Sequence, residues 1–177
     1  MDEERLVATK AEWEAREQEE RGLHDVGRKM REIFEPERWD SFDLLEKASR
    51  VERAHEQASA SMWIQHHTRI VWTDDETDGG AGYEEKNGNI EIPRQHLAKE
   101  SAETFAGLVG HELRHAWQWD VIEGRTRAPG GENQRTILKR AYESYDAGDR
   151  FRYANSELEI DARDRAAYVI EGFRAVS

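Results

Sequence analysis

His111-Glu112-Leu113-Arg114-His115 places two imidazoles four residues apart, with a carboxylate beside the first. On an α-helix, residues i and i+4 lie one above the other on the same face. Both rings can then reach a single Zn²⁺, with Glu112 beside the metal as general base for a bound water. Two histidines leave such a site incomplete, because catalytic zinc takes three protein ligands and keeps one position for water. The chain contains no Cys. Thiolate ligands and disulfides are therefore excluded, and His and carboxylate groups must hold any zinc.

The segment Asn155-Ser156-Glu157-Leu158-Glu159-Ile160-Asp161-Ala162-Arg163 offers the third ligand downstream. Glu157 and Asp161 are four apart and share a helix face, whereas Glu159 lies about 200° around the helix from Glu157. Ser156 followed by Glu159 fits a capping box, which would occupy Glu159 at the helix start. Glu157 is thus the favoured ligand, with Asp161 behind it as a carboxylate that orients a zinc-bound His. The same cap puts Glu157 in the first turn, a poor place for a rigid ligand. A helix starting near Tyr153 would remove the cap, and Glu159 stays open as the alternative.

In these residues the chain resembles the gluzincin group of zinc metallopeptidases. That group carries H-E-x-x-H on one helix and a ligand Glu on a later one, often within E-x-x-x-D or E-x-E-A-D. Glu157-Leu158-Glu159-Ile160-Asp161 matches, with Ile160 where the group prefers Ala. The resemblance spans roughly residues 69–170 and implies that His111, His115 and Glu157 hold Zn²⁺ while Glu112 activates water against a protein or peptide substrate. It also implies a zincin-like core, with a sheet ahead of the active-site helix whose edge strand lines the cleft. The oxyanion formed on a substrate carbonyl needs a further donor. By residue type, Tyr153, Tyr168, His96 and the pair His66-His67 qualify. Two other readings are compatible with the residues: a non-enzymatic interaction module on a metalloprotease-like scaffold, and a metal-dependent hydrolase of a non-peptide bond.

The elements that must position these groups are legible in outline. Leu23, Val26, Met30 and Ile33 form a helical stripe that ends at Glu35-Pro36. Ser41 is a candidate N-cap for a helix carrying Leu44, Ala48, Val51, His55, Ala58 and Met62 on one face. His55 reads as a core histidine satisfied by a hydrogen bond. Arg69-Ile70-Val71-Trp72-Thr73 reads as a strand. Asn87-Gly88 between two extended runs predicts a hairpin, with Pro93 stopping its second strand or marking an edge. A helix from about Lys99 to Val121 carries Phe105, Val109, Leu113 and Ala116 inward. Within it, Gly110 admits close approach of another backbone. Trp117 and Trp119 read as core. A helix around Ile137 to Tyr145 and a last one through Leu158, Ala162, Ala166, Val169, Phe173 and Val176 follow.

The expected fold is α+β: a small antiparallel sheet with the active-site helix packed on it, a helical N-terminal region over residues 1–65, and a zincin-like core over 66–177 within one domain. Six Trp, five Tyr and five Phe argue against disorder. A net charge of −12 disfavours nucleic acid as a partner. No apolar run reaches the ~20 residues of a membrane span. The charged N-terminus lacks a signal-peptide core, so a cytoplasmic location is expected.

Overall fold

Helix α1 (Glu3–Phe34) turns the stripe Leu23, Val26, Met30 and Ile33 into the core. It ends where Glu35 adopts a φ of 48° ahead of Pro36, a residue that disfavours helical geometry before it. In this computed structural model the described residues are 3–74, 81–128, 131–144 and 156–175, with side chains described from residue 14. A 3₁₀ turn at Trp39–Ser41 leads to α2 (Leu44–Ser61). Asp43, not Ser41, caps α2: its carboxylate accepts from the Glu46 N–H at 2.8 Å, while the Ser41 hydroxyl donates to the Arg38 carbonyl of the preceding turn. On the expected stripe, Val51, His55, Ala58 and Met62 are buried but Leu44 is exposed.

The sheet has three strands in the order β1-β3-β2: β1 (Arg69–Thr73), β2 (Gly82–Glu84) and β3 (Asn89–Pro93). β2 and β3 form the antiparallel hairpin expected around Asn87-Gly88, with Tyr83 opposite Ile90. Gly88 has a φ of 72°, and a Cβ there would sit 2.2 Å from the His67 carbonyl oxygen, so only glycine fits. The expectation of a purely antiparallel sheet is corrected. β1 runs parallel to β3, Ile70 opposite Ile90. Ile90 and Ile92 are fully buried, and a strand so buried needs its backbone paired on both edges. Pro93 therefore ends a central strand rather than marking an edge, and β2, the hairpin's first strand, lies at one edge of the described sheet.

Helix α3 (His96–Lys99) precedes α4 (Ala102–Ile122), capped by Ser101 accepting from the Thr104 N–H. Phe105, Val109, Leu113 and Ala116 on α4 are completely buried. Helices α5 (Gly131–Glu143) and α6 (Glu157–Arg174) complete the described structure. Tyr145, Tyr153 and Val176 lie outside the described residues. One apolar cluster joins α1, α2, the sheet, α4 and α6. A second gathers Trp117, Val121, Ile122, Leu138, Ala141 and Leu158 under the end of α4. Among the described residues, no helix is long and apolar enough to cross a membrane.

Candidate metal centre

The helical spacing in α4 brings His111 and His115 together, Nε2 to Nε2, at 3.1 Å. Helix α6 crosses this face and delivers a carboxylate: Glu159 Oε1 lies 3.1 Å from His115 Nε2 and Oε2 lies 3.4 Å from His111 Nε2. Each of the three residues offers one ligand atom, all within 4.8 Å of one another, an arrangement that could hold a metal ion. Three lone-pair-bearing atoms cannot converge this closely without a cation or a shared proton between them.

The carboxylate brought beside the histidines is that of Glu159, the alternative left open by the sequence, and not that of Glu157, the one it favoured. Ser156 does cap α6, its hydroxyl accepting from the Glu159 N–H at 3.3 Å. Only the backbone of Glu159 takes part in that cap, so its side chain remains available to the histidines. A helix that starts at Ser156 sets Glu157 in the first turn facing solvent, and Glu159 buried against α4. One signal was present in the sequence. Ala162, Ala166, Val169 and Phe173 form the inward stripe of α6, and Glu159 continues it toward the helix start, while Glu157 lies on the opposite side.

Asp161 is near the site but does not touch a histidine. Its carboxylate accepts from Gln118 Nε2 at 2.7 Å and from Arg114 Nε and Nη2 at 2.7 and 3.1 Å. Gln118 Nε2 also donates to the Leu158 carbonyl, so Gln118 Oε1 is the acceptor for His115 Nδ1–H at 2.9 Å. That bond engages Nδ1 from behind and leaves Nε2 facing the cluster. Asp161 therefore reaches His115 through Gln118 and not directly. Arg114, inside the motif, is buried, stacks 3.7 Å above the Trp117 ring, and reaches Glu19 of α1 at 2.7 Å as well as Asp161.

The electrostatics follow from burial and pairing. Burial raises the Glu112 carboxyl above its ordinary range, against the opposing pull of His115 and His111 and of a hydrogen bond from the Tyr83 backbone. Burial works the same way on Glu159, but hydrogen bonds from His111 and His115 outweigh it and hold that carboxyl well below the usual range. Burial lowers His115, yet its bond to Glu159 and the charge of Glu112 leave it net raised. For Asp161, the burial penalty is overcome by Arg114.

A cavity of about 260 Å³ opens beside Glu112, His115 and Glu159, walled by Tyr83 of β2 and by Trp119, Ile122, Tyr142 and Leu158. Trp119 is therefore partly a cavity wall, whereas Trp117 is core as expected. Behind the cavity stands a network that sequence reasoning missed. Asp120, fully buried, accepts from His66 Nδ1 at 2.7 Å, from the Gln65 N–H at 2.6 Å and from Arg125 at 3.1 Å. His66 Nε2 meets the Tyr83 hydroxyl at 2.6 Å. This chain ties β2 to α4 and so sets the Tyr83 backbone against Glu112.

Of the other oxyanion candidates, Tyr168 donates to Glu20 of α1, His96 pairs with Glu100, and Tyr153 lies outside the described residues. His55 is a core histidine as expected, buried and bonded to Thr68 Oγ1 at 3.0 Å. The chain matches no protein-family model, no curated protein and no solved structure.

Proposed function

We propose that this chain is a zinc-dependent hydrolase of peptide bonds, built on the zincin-like plan of the gluzincin metallopeptidases. His111, His115 and Glu159 are its metal ligands and Glu112 its general base. The observation that carries the reading is the convergence of two imidazole nitrogens and a buried carboxylate at separations of 3.1, 3.1 and 3.4 Å. Ligands at ~2.0–2.1 Å from a tetrahedral centre stand ~3.4 Å apart, so the cluster has the size such a centre needs. An N₂O donor set, with the His115 ring held from behind by Gln118, suits zinc chemically.

Zinc bound there would supply a water acidified toward a pKa of ~7 and a Lewis acid for a carbonyl. The remaining work falls to the chain's own groups. Glu112 borders the same cavity, and burial leaves its carboxyl more basic than an exposed one, as an acceptor of a water proton must be. The Tyr83 N–H holds that carboxylate in place. Among the described residues, strand β2 pairs with β3 alone, so an extended peptide can add to its other edge and bring a carbonyl past Glu112. The net charge and the absence of a cationic surface motif favour a protein or peptide substrate over nucleic acid.

Two measurements test this. Zinc content should be stoichiometric in the wild type and in Glu157→Ala, and should fall sharply in His111→Ala and Glu159→Ala. Zinc lost from Glu157→Ala alone would overturn the ligand assignment. Glu112→Gln should retain zinc and lower the cleavage rate of a casein or peptide-library substrate by ~10²–10⁴-fold. Unchanged turnover in that variant would remove Glu112 from the mechanism.

A further inference from the structure

The cavity beside the metal cluster has a chemical bias that bears on which substrate side chain it takes; the inference rests on the hydrolase reading for its biological meaning. Glu85, at the end of β2, lines the cavity and is held there by the Tyr142 hydroxyl, which donates to its Oε1 at 2.8 Å. Among the described lining residues there is no Lys or Arg. None of the ion pairs among the described residues involves Glu85.

Other polar groups of the wall are already paired. Asp120 can only accept, so the proton between it and His66 resides on Nδ1. The ring's Nε2 lies 2.6 Å from the Tyr83 hydroxyl, so that hydroxyl is engaged by His66. The Gln118 amide is likewise spent on Leu158 and Asp161. Ile122 and Leu158 supply an apolar floor, and Trp119 and Tyr142, with ring centroids 5.0 Å apart, supply aromatic surface.

We propose that this cavity receives a lysine or arginine side chain next to the bond that is cleaved. Its methylenes lie on Ile122 and Leu158, and its cation lies between Glu85 and the aromatic pair. An apolar side chain of the same length would strip water from Glu85 and give it nothing in return. A cation restores the pairing and gains from the ring faces.

The test uses the full-length, zinc-loaded chain and three small probes: N-acetyl-arginine amide, N-acetyl-lysine amide and the neutral isostere N-acetyl-norleucine amide. Calorimetric or NMR titration should show the cationic amides binding at least ~10-fold more tightly than the norleucine amide. Glu85→Gln keeps an acceptor for Tyr142 and nearly the same volume, so it should fold normally and collapse that gap. Equal or tighter binding of the norleucine amide overturns the proposal, as does a gap that survives Glu85→Gln. Failure of the hydrolase reading is separately visible, as zinc-loaded protein that prefers the cationic amides yet cleaves no peptide.

Discussion

At the residue scale, Gln118 couples the metal cluster to the rest of the molecule. It accepts from His115 Nδ1 and donates to Asp161, which Arg114 in turn clamps to Glu19 of α1. Replacing it by Leu preserves size but removes the partner of His115 Nδ1. Gln118→Leu is expected to weaken the proposed zinc binding by ~10–100-fold with the fold intact, as measured by chelator competition alongside circular dichroism. Affinity equal to wild type would show that packing alone orients the ring. Glu159 illustrates why a residue-level motif can mislead. The capping pattern Ser156–Glu159 is real at the backbone, yet the carboxylate it was expected to occupy serves the histidines instead.

At the element scale, the position of α6 decides which carboxylate reaches α4. It is set in part by its contact with α1, where the two helices approach backbone to backbone. A Cβ on Gly172 would lie 2.1 Å from the His24 carbonyl oxygen, and one on Gly27 would lie 2.0 Å from the Val169 carbonyl oxygen. Gly172→Ala must push the helices apart and is expected to destabilise the protein by ~1–3 kcal/mol, read from urea unfolding midpoints. Gly110→Ala provides the contrast. The three atoms nearest its Cβ would all belong to the Val169 side chain, at 3.2–3.4 Å. There the crowding is offset by ~1 kcal/mol of helix propensity, and stability should change little. A Gly172→Ala protein as stable as wild type would show that α1 and α6 can separate freely.

At the scale of the whole molecule, an acidic chain keeps a neutral histidine in its interior. Burial, followed by the nearby charge of His67, pushes His55 down to about 4 from an ordinary value of 6.5. A depressed folded pKa means that the unfolded chain binds the proton more readily. The contribution is therefore fully present above pH 6.5 and is lost as pH falls from 6.5 toward 4, amounting to up to ~3 kcal/mol. His55→Gln should flatten the pH dependence of unfolding free energy across that window. An unchanged slope between pH 5 and 6.5 would assign the effect to other groups. Asp120 makes a second global prediction. It is fully buried with four donors around it, so Asp120→Ala should cost ~3–5 kcal/mol in denaturant unfolding.

What the amino-acid order determined by itself was everything set by short-range geometry. The four-residue spacing of His111 and His115 guarantees a shared helix face. Asn87-Gly88 guarantees a tight reversal, and the lack of Cys limits the ligands to His and carboxylate. The apolar stripes of α1, α4 and α6 give the inward faces. Tertiary structure decided what depends on how one element is rotated or translated against another. It selected Glu159 over Glu157 through the rotation of α6 on α4. It inserted Gln118 between Asp161 and His115, paired β1 with β3 in parallel, and joined Asp120, His66 and Tyr83 from three separate segments. Local hydrogen-bond periods repeat every few residues and leave a mark in sequence, whereas packing between distant segments is a property of the whole core and leaves none in any single stretch.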